Sequence, residues 1–336
     1  MRLKTGKLPP RLLESLLKKV PVTDPRVVLG PRLGEDAALI DLGDRYLVAK
    51  TDPITFATEL IGWYVVQVNC NDLAVMGATP RWLMASLLLP EGTSQDGVEQ
   101  IFGQLTAAAA EHDITLVGGH TEVTFDLPRP VAVGVLLGEV EKDDVVLTRG
   151  MRPGDAIVLT KGVAIEGTSV LAREAERRLK DAGVESTTIE AAKELLFRPG
   201  ISVRRDAEVA RGAVPVHAMH DPTEGGLASG LAEMATASGV GLTVNLAAIR
   251  VLDECRKVCD ALGLDPMGLI ASGALLVAVD QEDAPSLIGA LDAAGIGAWV
   301  IGRATEPSDG LRMRVGRELV PMPTFERDEI ARYFEG

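Results

Sequence analysis

A strong helix signal, apolar nearly all round, runs over residues 59–76. Leu60, Ile61, Trp63, Val65, Val66 and Val68 leave no polar face, so the pattern predicts a helix buried nearly all round. Into it fall Asn69, Asn71 and Asp72, and Gly77 ends it. A carboxyl in such company is driven toward its neutral form unless a metal ion or a strong donor holds its charge. Upstream, Leu12, Leu13, Leu16 and Leu17 make the apolar side of a short helix, and Pro and Gly punctuate residues 21–34 as loop. Strands are predicted over residues 36–41 and 46–50 around the turn Leu42-Gly43-Asp44. Residues 82–89 are a nearly continuous apolar strand closed by Pro90, and Ser94 is placed to cap a helix running to about residue 112. A short buried strand over 114–117 runs into the loop Gly118-Gly119-His120-Thr121-Glu122, and a long strand covers 130–140.

The pattern changes after residue 150. A strand over 155–160 precedes a mostly helical block over 168–212. A strand over 214–219 ends in His220-Asp221-Pro222-Thr223-Glu224-Gly225-Gly226, and a helix over 227–237 follows. Strands over 241–246, 275–279 and 298–301 then alternate with helices over 251–262 and 284–294. A short echo relates residues 145–150 to 156–162 and reads as two strands around the turn Arg152-Pro153-Gly154-Asp155. The first half is expected to be α/β, strands and helices mixed around a sheet. The second is expected to be α+β with a mainly antiparallel sheet. Two domains are expected, residues 1–150 and 151–336, because 336 residues exceed what one hydrophobic core ordinarily serves.

Composition narrows the partners. A net charge of −14 argues against nonspecific binding to nucleic acid or to an anionic membrane, and no apolar run is long enough to span a bilayer. An anionic substrate stays possible, because a divalent cation inverts the local field. Cys70, Cys255 and Cys259 give no disulfide framework; with no secretory signal they point to a reducing cytoplasm. Cys255 and Cys259 share a helix face and read as two core thiols.

Four acids share one context. Asp36 stands where a loop enters a strand, Asp52 where a strand leaves the sheet, Asp72 on the buried helix, and Asp221 between a strand end and a Gly pair. Carboxylates from separate elements suit a hard cation such as Mg²⁺, which in turn usually works with a phosphorylated substrate. Gly118-Gly119 and Gly225-Gly226 are expected to expose backbone N–H groups to phosphate. Neither is a Walker loop, and no GxGxxG opens the first helix. His217 and His220, three apart on a strand, should face opposite ways, and Lys7 reads as a solvated lysine.

In this order the motifs resemble the ATP-binding superfamily of aminoimidazole ribonucleotide (AIR) synthetase, which includes thiamine-monophosphate kinase, selenophosphate synthetase and the hydrogenase maturation factor HypE. The resemblance rests on Gly34-Glu35-Asp36-Ala37-Ala38, Asp52, Asn71-Asp72-Leu73-Ala74-Val75-Met76-Gly77-Ala78-Thr79-Pro80, Gly118-Gly119-His120-Thr121 and Asp221-Pro222-Thr223-Glu224-Gly225-Gly226-Leu227. The last motif and residues 150–168 look most like HypE-type members. The resemblance implies a PurM-like amino-terminal half-barrel domain that dimerises with a second subunit, and a carboxy-terminal α+β sandwich. It implies ATP and Mg²⁺ as cofactors, with Asp36, Asp52 and Asp72 on the metal. Lys50, Gly118, Gly119, His120, Thr121, Gly225 and Gly226 would lie along the nucleotide, and Asp72 and Asp221 at the reacting end.

Two departures qualify it. HypE carries its reacting carbamoyl group on a terminal cysteine, whereas no cysteine follows Cys259 here, so that route is expected to be closed. His120 stands where many relatives have an aspartate, which would lose a metal contact or move it to Glu122. The reading is an ATP-dependent, Mg²⁺-requiring enzyme that activates or phosphorylates an unidentified small or carrier-borne substrate. The competitors are a small-molecule kinase like thiamine-monophosphate kinase and a non-catalytic ATP-binding maturation partner.

Overall fold

The computed structural model describes residues 6–32, 34–55 and 57–335. It opens with α1 (Pro10–Leu17), whose Leu12 and Leu16 are exposed while Leu13 and Leu17 are half-buried. The chain then divides into two units, with a boundary between Glu35 and Asp36 and another between Val145 and Val146. Residues 6–21, with Arg32, Gly34 and Glu35, cluster with the carboxy-terminal unit, and Val22–Pro31 with the amino-terminal one.

The amino-terminal unit holds β1 (Val27–Leu29), β2 (Ala38–Asp41), β3 (Arg45–Ile54), α2 (Ile61–Val75), β4 (Thr79–Pro90), α3 (Gln95–Glu111), β5 (Thr115–Thr124) and β6 (Val131–Glu141). Its sheet runs β1-β2-β3-β6-β4-β5, antiparallel except for the parallel β4–β5 pair. Every residue of α2 but Trp63 is buried, as its all-round apolar pattern demands, and the helix packs on β3, β6, β4 and α3. Burying side chains such as Val65, Val66 and Leu73 contributes roughly 1.5–3 kcal/mol each. The close seating needs glycine: a Cβ at Gly62 would run into the backbone of Ile101 and Leu105, and one at Gly134 into the Asn69 side chain. Ser94 caps α3, its Oγ accepting the Gly97 N–H at 3.1 Å.

Two expectations fail here. Residues 21–34 are not all loop, since β1 lies among them. The expected strand over 114–117 and glycine loop are instead one exposed ten-residue edge strand, β5. The Gly pair serves a bulge: the register with β4 skips between Leu83 and Met84, and Gly119, at φ +150°, comes so close to Ala85 that a Cβ would collide with it.

The carboxy-terminal unit contains β7 (Ala156–Thr160), α4 (Ile165–Glu174), α5 (Glu176–Asp181), α6 (Ser186–Glu194), α7 (Arg204–Ala213), β8 (Ala218–His220), α8 (Gly226–Ser238), β9 (Gly241–Asn245), α9 (Asp253–Leu262), β10 (Leu276–Val279), α10 (Ala284–Ala293), β11 (Ala298–Thr305), β12 (Leu311–Val315), β13 (Glu318–Pro321) and α11 (Glu329–Glu335). Its sheet runs β13-β12-β9-β11-β7-β10-β8 and is antiparallel except for β12–β9, as α+β patterning led one to expect. The strand expected over 214–219 shrinks to three residues, because α7 extends to Ala213 and Pro215 has no N–H for a ladder. Residues 145–150 form no strand; Thr148–Gly150 is a 3₁₀ turn, and Gly150 lies against the backbone of His217. No helix among the described residues is long and apolar enough to cross a membrane.

Candidate functional site

Lys50 and Asp52 are two apart on β3 and therefore share a face; Asn69 and Asp72 are three apart on α2 and do likewise. The two faces meet. Lys50 Nζ lies 3.0 Å from Asp72 Oδ1 and 3.5 Å from Asp52 Oδ1. Asn69 fixes the height of helix on strand: its Oδ1 accepts the Asp52 N–H at 3.0 Å, and its Nδ2 donates to Val65 O at 2.8 Å. Asp72 is 4% exposed, so its charge needs a counter-charge, and Lys50 supplies one. Burial works against the Lys50 ammonium, but Asp72, then Asp52, then Asp36 outweigh it and raise its pKa. The three predicted metal acids thus act on one lysine. Three carboxylates against one ammonium leave about two negative charges, the deficit a divalent cation matches. Carboxylate oxygens also suit the hardness of Mg²⁺, so the residues fit that ion.

The glycine segment stands apart from this group within its unit. Asp52 pairs with Gly134, Gly134 with Ala85, and Ala85 with Gly119, so Gly119 is in the same row of the sheet but three strands away, roughly 14 Å. Gly118, Gly119, His120 and Thr121 line a separate pocket of about 400 Å³ with Ala85, Leu87 and Phe102. His120 Nε2 is 3.1 Å from Glu122 Oε2, both side chains exposed.

In the carboxy-terminal unit the loop between β8 and α8 is held from several sides. Gly225 and Gly226 have φ of +84° and +68°, a left-handed path that favours glycine. Their N–H groups are not turned outward as expected: Gly225 donates to Asp328 Oδ2 at 2.6 Å and Gly226 to Thr223 O at 3.1 Å. Asp221 is 2% exposed. His220 Nε2 is 3.2 Å from Glu233 Oε2, whereas His217 turns to Asp155, so the two histidines do face different partners. Lys7 is not merely solvated. Its Nζ donates to Thr223 Oγ1 at 3.1 Å and lies 3.4 Å from Glu224 Oε2 and 3.9 Å from Glu233 Oε1. Burial would raise the Glu224 pKa, but Lys7 and local hydrogen bonds bring it below the ordinary value.

Two acids here escaped sequence reasoning. Glu166, on α4 and 7% exposed, has its pKa pushed up to about 7 by burial, against a hydrogen bond from Ser272 and with Glu224 and Asp328 adding repulsion. Its Oε2 is buried with no hydrogen-bond partner among the described residues. Asp328 is pushed up to about 6 by burial, although the N–H groups of Ile330 and Gly225 hold it down. An acid inside the apolar run Val163-Ala164-Ile165 could have flagged Glu166; nothing local flags Asp328. Glu35 of the acidic motif is a packing residue, buried against Arg149 at 3.3 Å. Asp155, His217 and Asp280 bring ligand atoms within 4.8 Å, but Arg152 Nη1 stands 3.4 Å from His217 Nε2 and opposes a cation. Cys255 and Cys259 are a buried thiol pair with sulfurs 4.0 Å apart.

Comparison with known proteins places both units. The N-terminal domain of AIR synthase related proteins matches residues 34–140, and the C-terminal domain of the same proteins matches residues 152–314. A putative hydrogenase expression/formation protein of Methanocaldococcus jannaschii is 31% identical over 95% of this chain and 94% of its own length. The carbamoyl dehydratase HypE of Rhodobacter capsulatus is 32% identical, over 85% of this chain and 84% of its own. Among solved structures, a hydrogenase maturation protein HypE in complex with ATP superposes with a TM-score of 0.68 at 22% identity, covering 95% of this chain and 91% of that one.

Proposed function

The chain belongs to the AIR synthase related protein family, and on that premise we propose that it is an ATP-dependent, Mg²⁺-requiring enzyme of the HypE type. The observation that carries the reading is the buried Lys50 between Asp72 and Asp52, with Asp36 acting on the same charge. The relative named carbamoyl dehydratase and the HypE solved with ATP support it.

Asp36, Asp52 and Asp72 would hold Mg²⁺, which when bound supplies charge neutralisation for a polyphosphate. Lys50 donates to phosphate oxygens from a position that the acids already fix, so little reorganisation is needed on binding. Asn69 keeps β3 and α2 from sliding and so keeps Lys50 and Asp72 in register. Within the carboxy-terminal unit Asp221 is held buried, and Glu166, near half-protonated at neutral pH, is a group there able to exchange a proton. Gly225 and Gly226 shape the loop rather than bind phosphate with their own N–H groups. Gly118, Gly119, His120 and Thr121 contribute through a homodimer, in which the exposed edge strand β5 of one subunit meets its partner. All three cysteines are buried, so the group that ATP activates arrives on a small molecule or a carrier protein. The setting is the reducing cytoplasm.

Asp72→Asn tests the reading. Mg²⁺-dependent ATP turnover should fall roughly 100-fold while circular dichroism stays that of the wild type. Unchanged turnover would remove Asp72 from the site. Product analysis gives the chemistry: free phosphate for ATP-driven activation, a phosphorylated product for a kinase.

A further inference from the structure

The carboxy-terminal sheet is buried on both faces at β7, β10 and β8, but at its β11–β9–β12 end one face is open. On β9, Leu242 and Val244 are fully buried while Thr243 and Asn245 reach toward solvent; on β12, Met313 is buried while Arg312 and Arg314 are exposed. Register places Arg303 of β11 opposite Thr243, Thr243 opposite Arg312, and Asn245 opposite Arg314. Residues in register on neighbouring strands share a face, so all three guanidiniums stand on the open side. Strand spacing puts the Cα atoms of Arg303 and Arg312 roughly 10 Å apart, and those of Arg312 and Arg314 roughly 7 Å. Side chains as long as arginine can converge on one ligand across those gaps.

They line a groove of about 940 Å³, with Ala156 and Gly302 among its small lining residues. That size falls in the range of small-molecule pockets. The exposed apolar side chains of Val300 and Leu319 are also in the lining, so the groove offers both charge and an apolar wall.

Some arginines of the molecule are ion-paired, and among the described residues these three are not. Arg26, Arg45, Arg149, Arg204 and Arg332 each have a carboxylate within 4.0 Å. Among the described residues, Arg303, Arg312 and Arg314 form no such ion pair, although Asp309 sits in the same lining. Arg312 Nε goes instead to the Asp309 carbonyl at 3.2 Å. In a chain of net charge −14, three uncompensated guanidiniums gathered in one groove are a positive site in a negative field. Guanidinium forks match phosphate oxygens two at a time.

We propose that this groove binds a phosphorylated small molecule of about nucleotide size through Arg303, Arg312 and Arg314. The phosphate oxygens take the guanidiniums, Thr243 and Asn245 add hydrogen bonds, and Val300 and Leu319 receive the apolar part.

The test is titration calorimetry on the full chain in EDTA, where the Mg²⁺-dependent reading of Lys50 and Asp72 predicts no tight nucleotide binding. The probes are inorganic pyrophosphate, ADP and a decaglutamate peptide. Saturable binding of pyrophosphate or ADP is expected, weakened at least tenfold in the double variant R312E/R314E and also in Arg303→Gln. Mg²⁺-dependent ATP turnover stays at the wild-type rate in both variants, which separates this site from the proposed active site. ADP binding tighter than pyrophosphate assigns the ligand to nucleotides; equal affinity assigns it to the phosphates alone. The proposal is overturned if neither probe binds saturably up to about 1 mM, if R312E/R314E binds as well as wild type, or if decaglutamate binds more tightly than both.

Discussion

Two groups of buried carboxyls solve the same electrostatic problem in opposite ways. In the amino-terminal unit, Asp72 keeps its charge because Lys50 Nζ lies 3.0 Å away on the facing strand. In the carboxy-terminal unit, Glu166 has no ammonium beside it among the described residues and burial pushes its pKa up to about 7, so it is largely protonated below neutrality. Glu224, near Glu166, lies between the two cases, because Lys7 reaches it from the amino-terminal segment. A buried acid is therefore a charge site or a proton site according to which cation the fold brings to it. The charged group suits metal and phosphate, and the proton site suits acid–base work.

Removing the cation should collapse the difference. Lys50→Met leaves Asp72 buried without its partner, and equilibrium denaturation should show a loss of about 3–5 kcal/mol. The double variant Lys50→Met/Asp72→Asn should recover most of that loss, because it no longer buries an unpaired charge. A double variant as unstable as the single one would mean that Lys50 contributes packing rather than charge.

The next effect is in pH. The Glu166 pKa is raised in the folded state, so the fold binds the proton more tightly than the unfolded chain. Stability contributed by that proton is present at about pH 4.5 and below, and it is lost as pH rises through about 7. The loss is about 3 kcal/mol. Glu166→Gln should therefore flatten the stability profile between about pH 5 and 8 relative to wild type. Parallel profiles for the two proteins would contradict the assignment.

The smallest effect belongs to Lys7, whose side chain is half exposed. Lys7→Gln should cost 1 kcal/mol or less. It should raise the Glu224 pKa, because burial then acts on that carboxyl without the ammonium opposing it. A carbon-detected NMR titration of the Glu224 carboxyl reads this directly.

Sequence patterning anticipated much of the architecture for a physical reason. The apolar run that makes α2 is local and continuous, so both the helix and the oddity of Asp72 could be read from it. Lys50 and Asp52 two apart on a strand were equally local, yet their meeting with Asp72 depends on how β3 faces α2. The glycine pairs are legible in the sequence as special backbone, but their partners are not. Gly119 admits a bulge beside Ala85, and Gly225 donates to an aspartate 103 residues further on. Such partners have no signature near the glycine. Glu166 and Asp328 were missed because their shifts come from burial by distant segments. No strand is expected after residue 301, yet β12 and β13 follow, and the alternation Leu311, Arg312, Met313, Arg314 sets the two arginines on one side.

The central claim is that the Lys50–Asp52–Asp72 group, with Asp36, receives ATP with Mg²⁺. Isothermal titration of the R312E/R314E chain, which leaves the arginine groove out, with ATP, first with excess Mg²⁺ and then in EDTA, tests it most directly. The account predicts one Mg²⁺-dependent site per chain whose affinity falls at least about tenfold when the metal is chelated. Binding of equal strength in both conditions, or no binding in either, would contradict it.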